Sequence, residues 1–214
     1  MKYCLLIFML TNTVKIFAQE TPHIWFVGGT VGFGHSKNQG IDGAFSGQEG
    51  RQTRFIFSPY IGRVVHKRWD AGIQFNSSYA KTREALNEDN HELVDEGWSL
   101  GGGLFFRYNM NPNQEKIHFV LEPSVNFYYG TSETKNRDVS ISRFETTSLV
   151  LGLNPLCILP LASELKFLIR LDGINFSFGK AKFGTESFTR KRNFSNFNGL
   201  FDLTQTQVGV EVSF

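Results

Sequence analysis

The chain ends Gln207-Val208-Gly209-Val210-Glu211-Val212-Ser213-Phe214, with every second residue apolar. Side chains alternate between the faces of an extended strand. Val208, Val210, Val212 and Phe214 therefore share one face, and Gln207, Gly209, Glu211 and Ser213 the other. The same period of two runs backward through the sequence. Trp25, Val27, Val31 and Phe33 oppose Gly28, Thr30, Gly32 and Gly34; Ala71, Ile73, Phe75 and Tyr79 oppose Gly72, Gln74, Asn76 and Ser78. Trp98, Leu100, Leu104, Phe106 and Tyr108 oppose Ser99, Gly101, Gly103 and Arg107, and Phe119, Leu121, Val125, Phe127 and Tyr129 oppose His118, Glu122, Ser124 and Asn126. No stretch carries a helical period, so the expected class is all-β.

Eight strands are predicted, over approximately 24–34, 53–65, 69–80, 97–109, 116–130, 143–157, 164–179 and 203–214. Most exceed the usual strand of about 5 or 6 residues and match the ~9 to 11 tilted residues that cross a bilayer. Connections alternate in length: 66–68, 110–115 and 158–163 are short, whereas 35–52, 81–96, 131–142 and 180–202 are long. Short turns on one side and long loops on the other, with both termini on the short-turn side, are the layout of an outer-membrane barrel. The expected architecture is an eight-stranded antiparallel up-and-down transmembrane β-barrel. In such a barrel the polar face points inward, because the narrow lumen is filled by side chains while lipid meets the apolar face. Arg54, Arg107, Glu122, Arg170, Asp172 and Glu211 are accordingly expected to form a polar lumen network, where buried charges must pair.

Trp25, Trp69, Trp98, Tyr79, Tyr108, Tyr128 and Tyr129 fall near predicted strand ends, where amphipathic rings sit at a membrane–water interface. Pro59, Pro123 and Pro155 fall inside strands that have no free edge in a closed barrel, and should mark bulges or ladder breaks. Glycines beside aromatics, as at Gly101-Gly102-Gly103, suit the coiling of a small barrel.

The N-terminus has the layout of a signal peptide: Lys2, an apolar run from Tyr3 to Leu10, then Ile16-Phe17-Ala18-Gln19, with cleavage expected after Ala18 or Gln19. The expected division is 1–19 signal peptide and 20–214 barrel. Removing Lys2 and Lys15 from the 22 basic residues leaves 20 against 20 acidic, which argues against a nucleic-acid-binding footprint. Cys4 lies in the leader, so Cys157 alone remains and makes no internal disulfide.

Phe57-Ser58-Pro59-Tyr60-Ile61-Gly62, Phe106-Arg107-Tyr108, Leu153-Asn154-Pro155 and the closing Phe214 resemble the eight-stranded outer-membrane β-barrel family common in Bacteroidetes, akin to OmpX and the OmpA barrel and often labelled a porin family. The resemblance spans nearly all of the mature chain. It implies a small integral barrel of the bacterial outer membrane with no general enzymatic activity, and it does not imply an open pore. It also implies that Gln207, Gly209, Val212 and Phe214 form the signal read by the barrel-assembly machinery, with Val212 standing where an aromatic is more usual.

Chemistry-bearing motifs are sparse. The histidines show no paired spacing of the HExxH kind, so no metal site is expected, and no cofactor is implied. The acidic run Asn87-Glu88-Asp89-Asn90-His91-Glu92 lacks the spacing and glycine of a calcium loop. His118, Glu122 and Ser124 share a face, but residues four apart on a strand are separated by about 13 Å, beyond the reach of a nucleophile and its base. No catalytic residue is assigned. The long loops are where binding is expected: Lys180, Lys182, Arg190, Lys191 and Arg192, interleaved with phenylalanines, form a candidate surface for outer-membrane lipid and lipopolysaccharide phosphates, or pair with the acidic loop 81–96. The expected function is non-enzymatic, structural or surface-interacting, with a side-chain-filled lumen. The competing readings are a small-solute channel, a lipid-modifying enzyme and a soluble secreted lipocalin-like barrel.

Overall fold

The computed structural model describes residues 25–39, 49–86, 91–113, 116–136, 139–185, 188–198 and 206–214. The proposed leader, its cleavage site and the acidic run 87–90 lie outside the described residues. The described chain forms β1 (Trp25–Gln39), β2 (Glu49–His66), β3 (Trp69–Leu86), β4 (His91–Asn109), β5 (His118–Asn136), β6 (Val139–Pro160), β7 (Leu165–Arg170), β8 (Ile174–Thr185), β9 (Phe188–Asn198) and β10 (Gln207–Ser213). Every pairing is antiparallel. Neighbours in sequence pair from β1 to β6. β7 and β8 share the far side of β6, β10 pairs with β7, and β1 pairs with β10, so the sheet closes on itself. Ten segments thus occupy eight positions around the wall. The first and last described residues meet at the closing seam, where Trp25 and Phe214 exchange backbone hydrogen bonds of 3.0 and 2.8 Å.

The wall is apolar on its outside. Ile73, Leu104 and Val210 are 57, 54 and 53% exposed, while Glu122 and Glu211 are 1 and 2% exposed. That is the reverse of a soluble barrel. The height of the apolar band is set by its aromatic borders. On β3 it runs from Trp69 to Tyr79 and on β4 from Tyr108 to Trp98, with Trp69 paired to Tyr108 and Tyr79 to Trp98. Ten residues at ~3.3 Å each, tilted by ~40°, span ~25 Å, the height of the lipid-facing band in outer-membrane barrels. An outer wall of this kind has no favourable place in water. A closed barrel, which leaves no unpaired strand edge in hydrocarbon, is the β-structure that spans an outer membrane, and the chain resides there. Tyr128 departs from the expected girdle. Its parity on β5 matches that of Glu122 and Asn126, and the ring faces the lumen.

The strands continue past the membrane on the long-loop side. The segments read as loops 35–52, 81–96, 131–142 and 180–202 are largely paired hairpins, held as far as Gln39 with Glu49, Leu86 with His91, Asn136 with Val139 and Thr185 with Phe188. Above the lipid both faces meet water, so the two faces no longer differ in hydrophobicity and the period of two fades from the sequence while the backbone ladder persists.

The prolines break ladders, each on one side. The β2–β3 ladder is interrupted at Ser58 and Pro59 with its register kept, and the β4–β5 ladder likewise at Glu122 and Pro123. At Pro155 the register does shift: residues 171–173 stand opposite Asn154 and Pro155, which divides β7 from β8. Leu171 N–H donates to the Pro155 carbonyl at 3.0 Å. A Cβ on Gly173 would stand 2.0 Å from the Leu153 carbonyl oxygen, so this bulge requires glycine.

The lipid-facing assignment predicts that Leu104→Arg, on the middle of the band, destabilises the protein folded in phospholipid bilayers by about 2–4 kcal/mol. Guanidinium unfolding measures this, and an unchanged midpoint would contradict the assignment.

Candidate functional site

Closing the wall brings Phe26, Tyr60, Phe105, Arg107, Glu122, Lys166, Arg170 and Glu211 into one cross-section of the lumen, and their chemistry forces them together. Arg107, 2% exposed, sits at the centre. Its Nε donates to Glu122 Oε2 at 2.8 Å and its Nη1 to Glu211 Oε2 at 2.5 Å. Tyr60 Oη donates to the same Glu211 oxygen at 3.0 Å, and Lys166 Nζ to the other at 2.9 Å. Arg170 donates to Glu122 Oε1 and, at 3.3 Å, to Gln74 Oε1. Gln74 Nε2 passes the chain of bonds to Asn126 Oδ1 at 2.8 Å, and Asn126 Nδ2 to Ser124 Oγ at 3.1 Å. Each buried carboxylate therefore faces two cations, which offsets the cost of removing these charges from water.

The aromatic rings complete the packing around Arg107. Its guanidinium carbon lies 4.5 Å from the Tyr60 ring centroid, 4.9 Å from that of Phe105 and 5.3 Å from that of Phe26. The three rings contact one another at 5.6 to 6.4 Å. Against another part of the wall Val120, Leu156, Ile158 and Leu168 form a buried aliphatic cluster. This cross-section of the lumen is thus occupied by a charged layer with apolar groups packed beside it.

Four large inward rings are each seated on a glycine. Phe26 pairs across the ladder with Gly62, Tyr60 with Gly28, Phe105 with Gly72 and Tyr128 with Gly101. A Cβ on those glycines would come within 2.3 to 2.6 Å of the nearest ring atoms, so only a residue without one lets the ring lie down against the wall. The sequence alone relates Gly28 and Gly101 to strand curvature and coiling; the seating of the rings is not legible there because it requires knowing which strands are neighbours. Lys166, Tyr60 and Gln74 were missed for the same reason.

The expected network residues divide into two groups. Arg107, Glu122, Arg170 and Glu211 meet in the charged layer. Arg54 and Asp172 instead line a cavity of about 430 Å³ on the long-hairpin side of it, where Asp172 accepts a hydrogen bond from Asn175 Nδ2 at 2.7 Å. His118 lies against Asn109 Nδ2 at 3.1 Å, while Glu122 and Ser124 are engaged in the lumen layer.

The five basic residues expected on one loop lie instead on both faces of the β8–β9 hairpin. Lys182 pairs with Lys191 and Lys180 with Asn193 on the outward face, just above the outward rings of Phe176 and Phe178. Arg190 and Arg192, paired with Phe183 and Ala181, are on the opposite face and border a notch with Phe144 and Phe183. Strand alternation separates what proximity in sequence had grouped. On the acidic hairpin Glu96 is bonded by Lys81 and lies 3.7 Å from Lys135. The Lys81 hydrogen bond and charge hold its carboxyl below the usual carboxylate range. At the closing seam, Gln207 accepts from Thr30 Oγ1 at 2.6 Å. A Cβ on Gly209 would stand 2.1 Å from the Gly29 carbonyl oxygen, and Val212 and Phe214 face lipid.

No family model matches the chain, and no curated protein matches it. Among solved structures it is similar to a major outer membrane protein from Thermus thermophilus, at 10% identity and a TM-score of 0.49, covering 91% of this chain and 100% of that one. It is also similar to Neisserial surface protein A, at 12% identity and a TM-score of 0.35, covering 89 and 97%. Ail, the attachment invasion locus protein of Yersinia pestis, is similar at 11% identity and a TM-score of 0.33, covering 91 and 100%. The assignment of the fold rests on the wall and its closure.

Glu122→Ala strips both Arg107 and Arg170 of a buried carboxylate and is expected to cost about 3–5 kcal/mol. Glu96→Ala, on the exposed hairpin, is expected to leave the guanidinium midpoint nearly unchanged. Equal losses from the two would contradict a closed charged layer.

Proposed function

We propose that the protein is a non-enzymatic outer-membrane barrel whose lumen is closed to solute passage and whose working surface is the outer ends of its hairpins. The observation that carries this reading is the burial of Arg107 between two carboxylates and three aromatic rings, which supports a cross-section filled by side chains. A channel would need that layer to part, leaving charges unpaired in a poorly solvated interior. The roles of the hairpins follow from position. Lys180, Lys182 and Lys191 lie just beyond the outward apolar residues of β8, at the height where the anionic headgroups of the outer leaflet stand, and support contact with lipopolysaccharide phosphates. Gln207, Gly209, Val212 and Phe214 occupy the last strand to pair with β1, which suits a role in recognition by the barrel-assembly machinery. The OmpX- and OmpA-like kinship suggested by the sequence accords with this division between a closed scaffold and exposed hairpins.

Planar-bilayer recording of the purified protein tests the reading. Silence is expected for the wild type, and stable, stepwise openings would overturn it in favour of a small-solute channel.

A further inference from the structure

On the long-hairpin side of the charged layer the lumen is hollow. The cavity of about 430 Å³ is floored by Gln74, Asn76 and Asn126 and walled by Ser148, Asn175, Ser177 and Asn196, among others. Its volume lies in the range of small-molecule sites. Its ionisable lining side chains are Arg54, Arg170, Asp172 and Tyr128, and Arg170 is committed to Glu122 and Gln74. Cations and an anion are both present, so neither sign of ligand charge is selected. What dominates is primary amides and hydroxyls, groups that donate and accept hydrogen bonds side by side.

One aromatic surface completes the lining. Tyr128 lies directly across the ladder from Gly101, and a Cβ there would fall 2.3 Å from its ring. The ring therefore lies against the β4 wall, and Tyr128 also lines the cavity. A flat ring beside converging amides and hydroxyls matches a ligand with an apolar C–H face and a rim of neutral hydroxyls.

We propose that this vestibule binds a small neutral saccharide, roughly one or two pyranose rings, with the sugar face on Tyr128 and the hydroxyls on Asn126, Asn175 and Asn196. The proposal rests on the closed-lumen reading only in taking the cavity as blind at its floor.

The test uses the full mature barrel in a detergent without a sugar headgroup, with glucose, maltose and glucose 6-phosphate as probes in calorimetry and saturation-transfer NMR. Saturable binding of glucose or maltose is expected, weakened roughly tenfold in Tyr128→Ala and abolished in Ser148→Phe, which fills the cavity from β6. Heat-modifiable migration reports folding of each variant, and either folded variant suffices. Absence of saturable binding of both sugars overturns the proposal, as does binding unchanged in Ser148→Phe; tighter binding of glucose 6-phosphate than of glucose overturns the neutral ligand class. Planar-bilayer recording separates the two readings. Sugar binding with stable conductance would overturn the closed lumen and leave the site standing, and silence without sugar binding would do the reverse.

Discussion

The organisation of the molecule depends on Arg107. A wall of eight positions encloses a lumen too narrow to remain a water column, so whatever faces inward must fill it and satisfy itself there. A guanidinium that cannot shed its charge is held by Glu122 and Glu211, and those carboxylates in turn recruit Lys166, Arg170 and Tyr60. The participants come from β2, β4, β5, β7 and β10, so the cluster cross-links segments that do not neighbour one another in the wall. It acts as an internal strut, complementing the backbone ladders that join only adjacent strands. The glycine seats are the counterpart of this filling: by letting Phe26, Tyr60 and Phe105 lie against the wall, they leave the axis for the guanidinium.

The outer surface answers a different solvent. Between the Trp69–Tyr108 and Tyr79–Trp98 borders the wall presents aliphatic and phenyl groups, which gain nothing from packing on one another and are accommodated by acyl chains. Beyond the upper border the hairpins continue in water, held by backbone pairing and by cross-strand ion pairs such as Lys182 with Glu145 at 3.3 Å. The scaffold thus extends past the bilayer as ordered sheet, giving any outer contact a stiff support.

Function follows from the asymmetry along the axis. On one side lie short turns, the seam between Trp25 and Phe214 and an apolar-packed lumen; on the other lie a polar cavity and the long hairpins. The charged layer lies between them. The same layer forms the floor of that cavity, because Gln74 and Asn126 belong both to the hydrogen-bonded chain from Arg170 and to the cavity lining.

The barrel class, the inward set Arg107, Glu122, Arg170 and Glu211, and the outward set ending at Phe214 were legible in the sequence, because alternation is a local property and lipid on one side makes it strong. The hairpins of 81–96 and 180–202 were not legible as strands, because water on both faces erases the alternation. The separation of Arg190 and Arg192 from Lys180, Lys182 and Lys191 was hidden for a related reason, since adjacent charges in sequence read as one patch until the ladder assigns them to faces. Periodicity separated the two faces of each membrane strand, and strand length together with the alternation of short and long connections identified the apolar face as the one that meets lipid. Which inward residues touch, which glycine seats which ring, and that Tyr128 lines the cavity rather than the interface were decided only by tertiary structure. Those relations depend on the register between strands distant in sequence, and only closure of the wall sets that register.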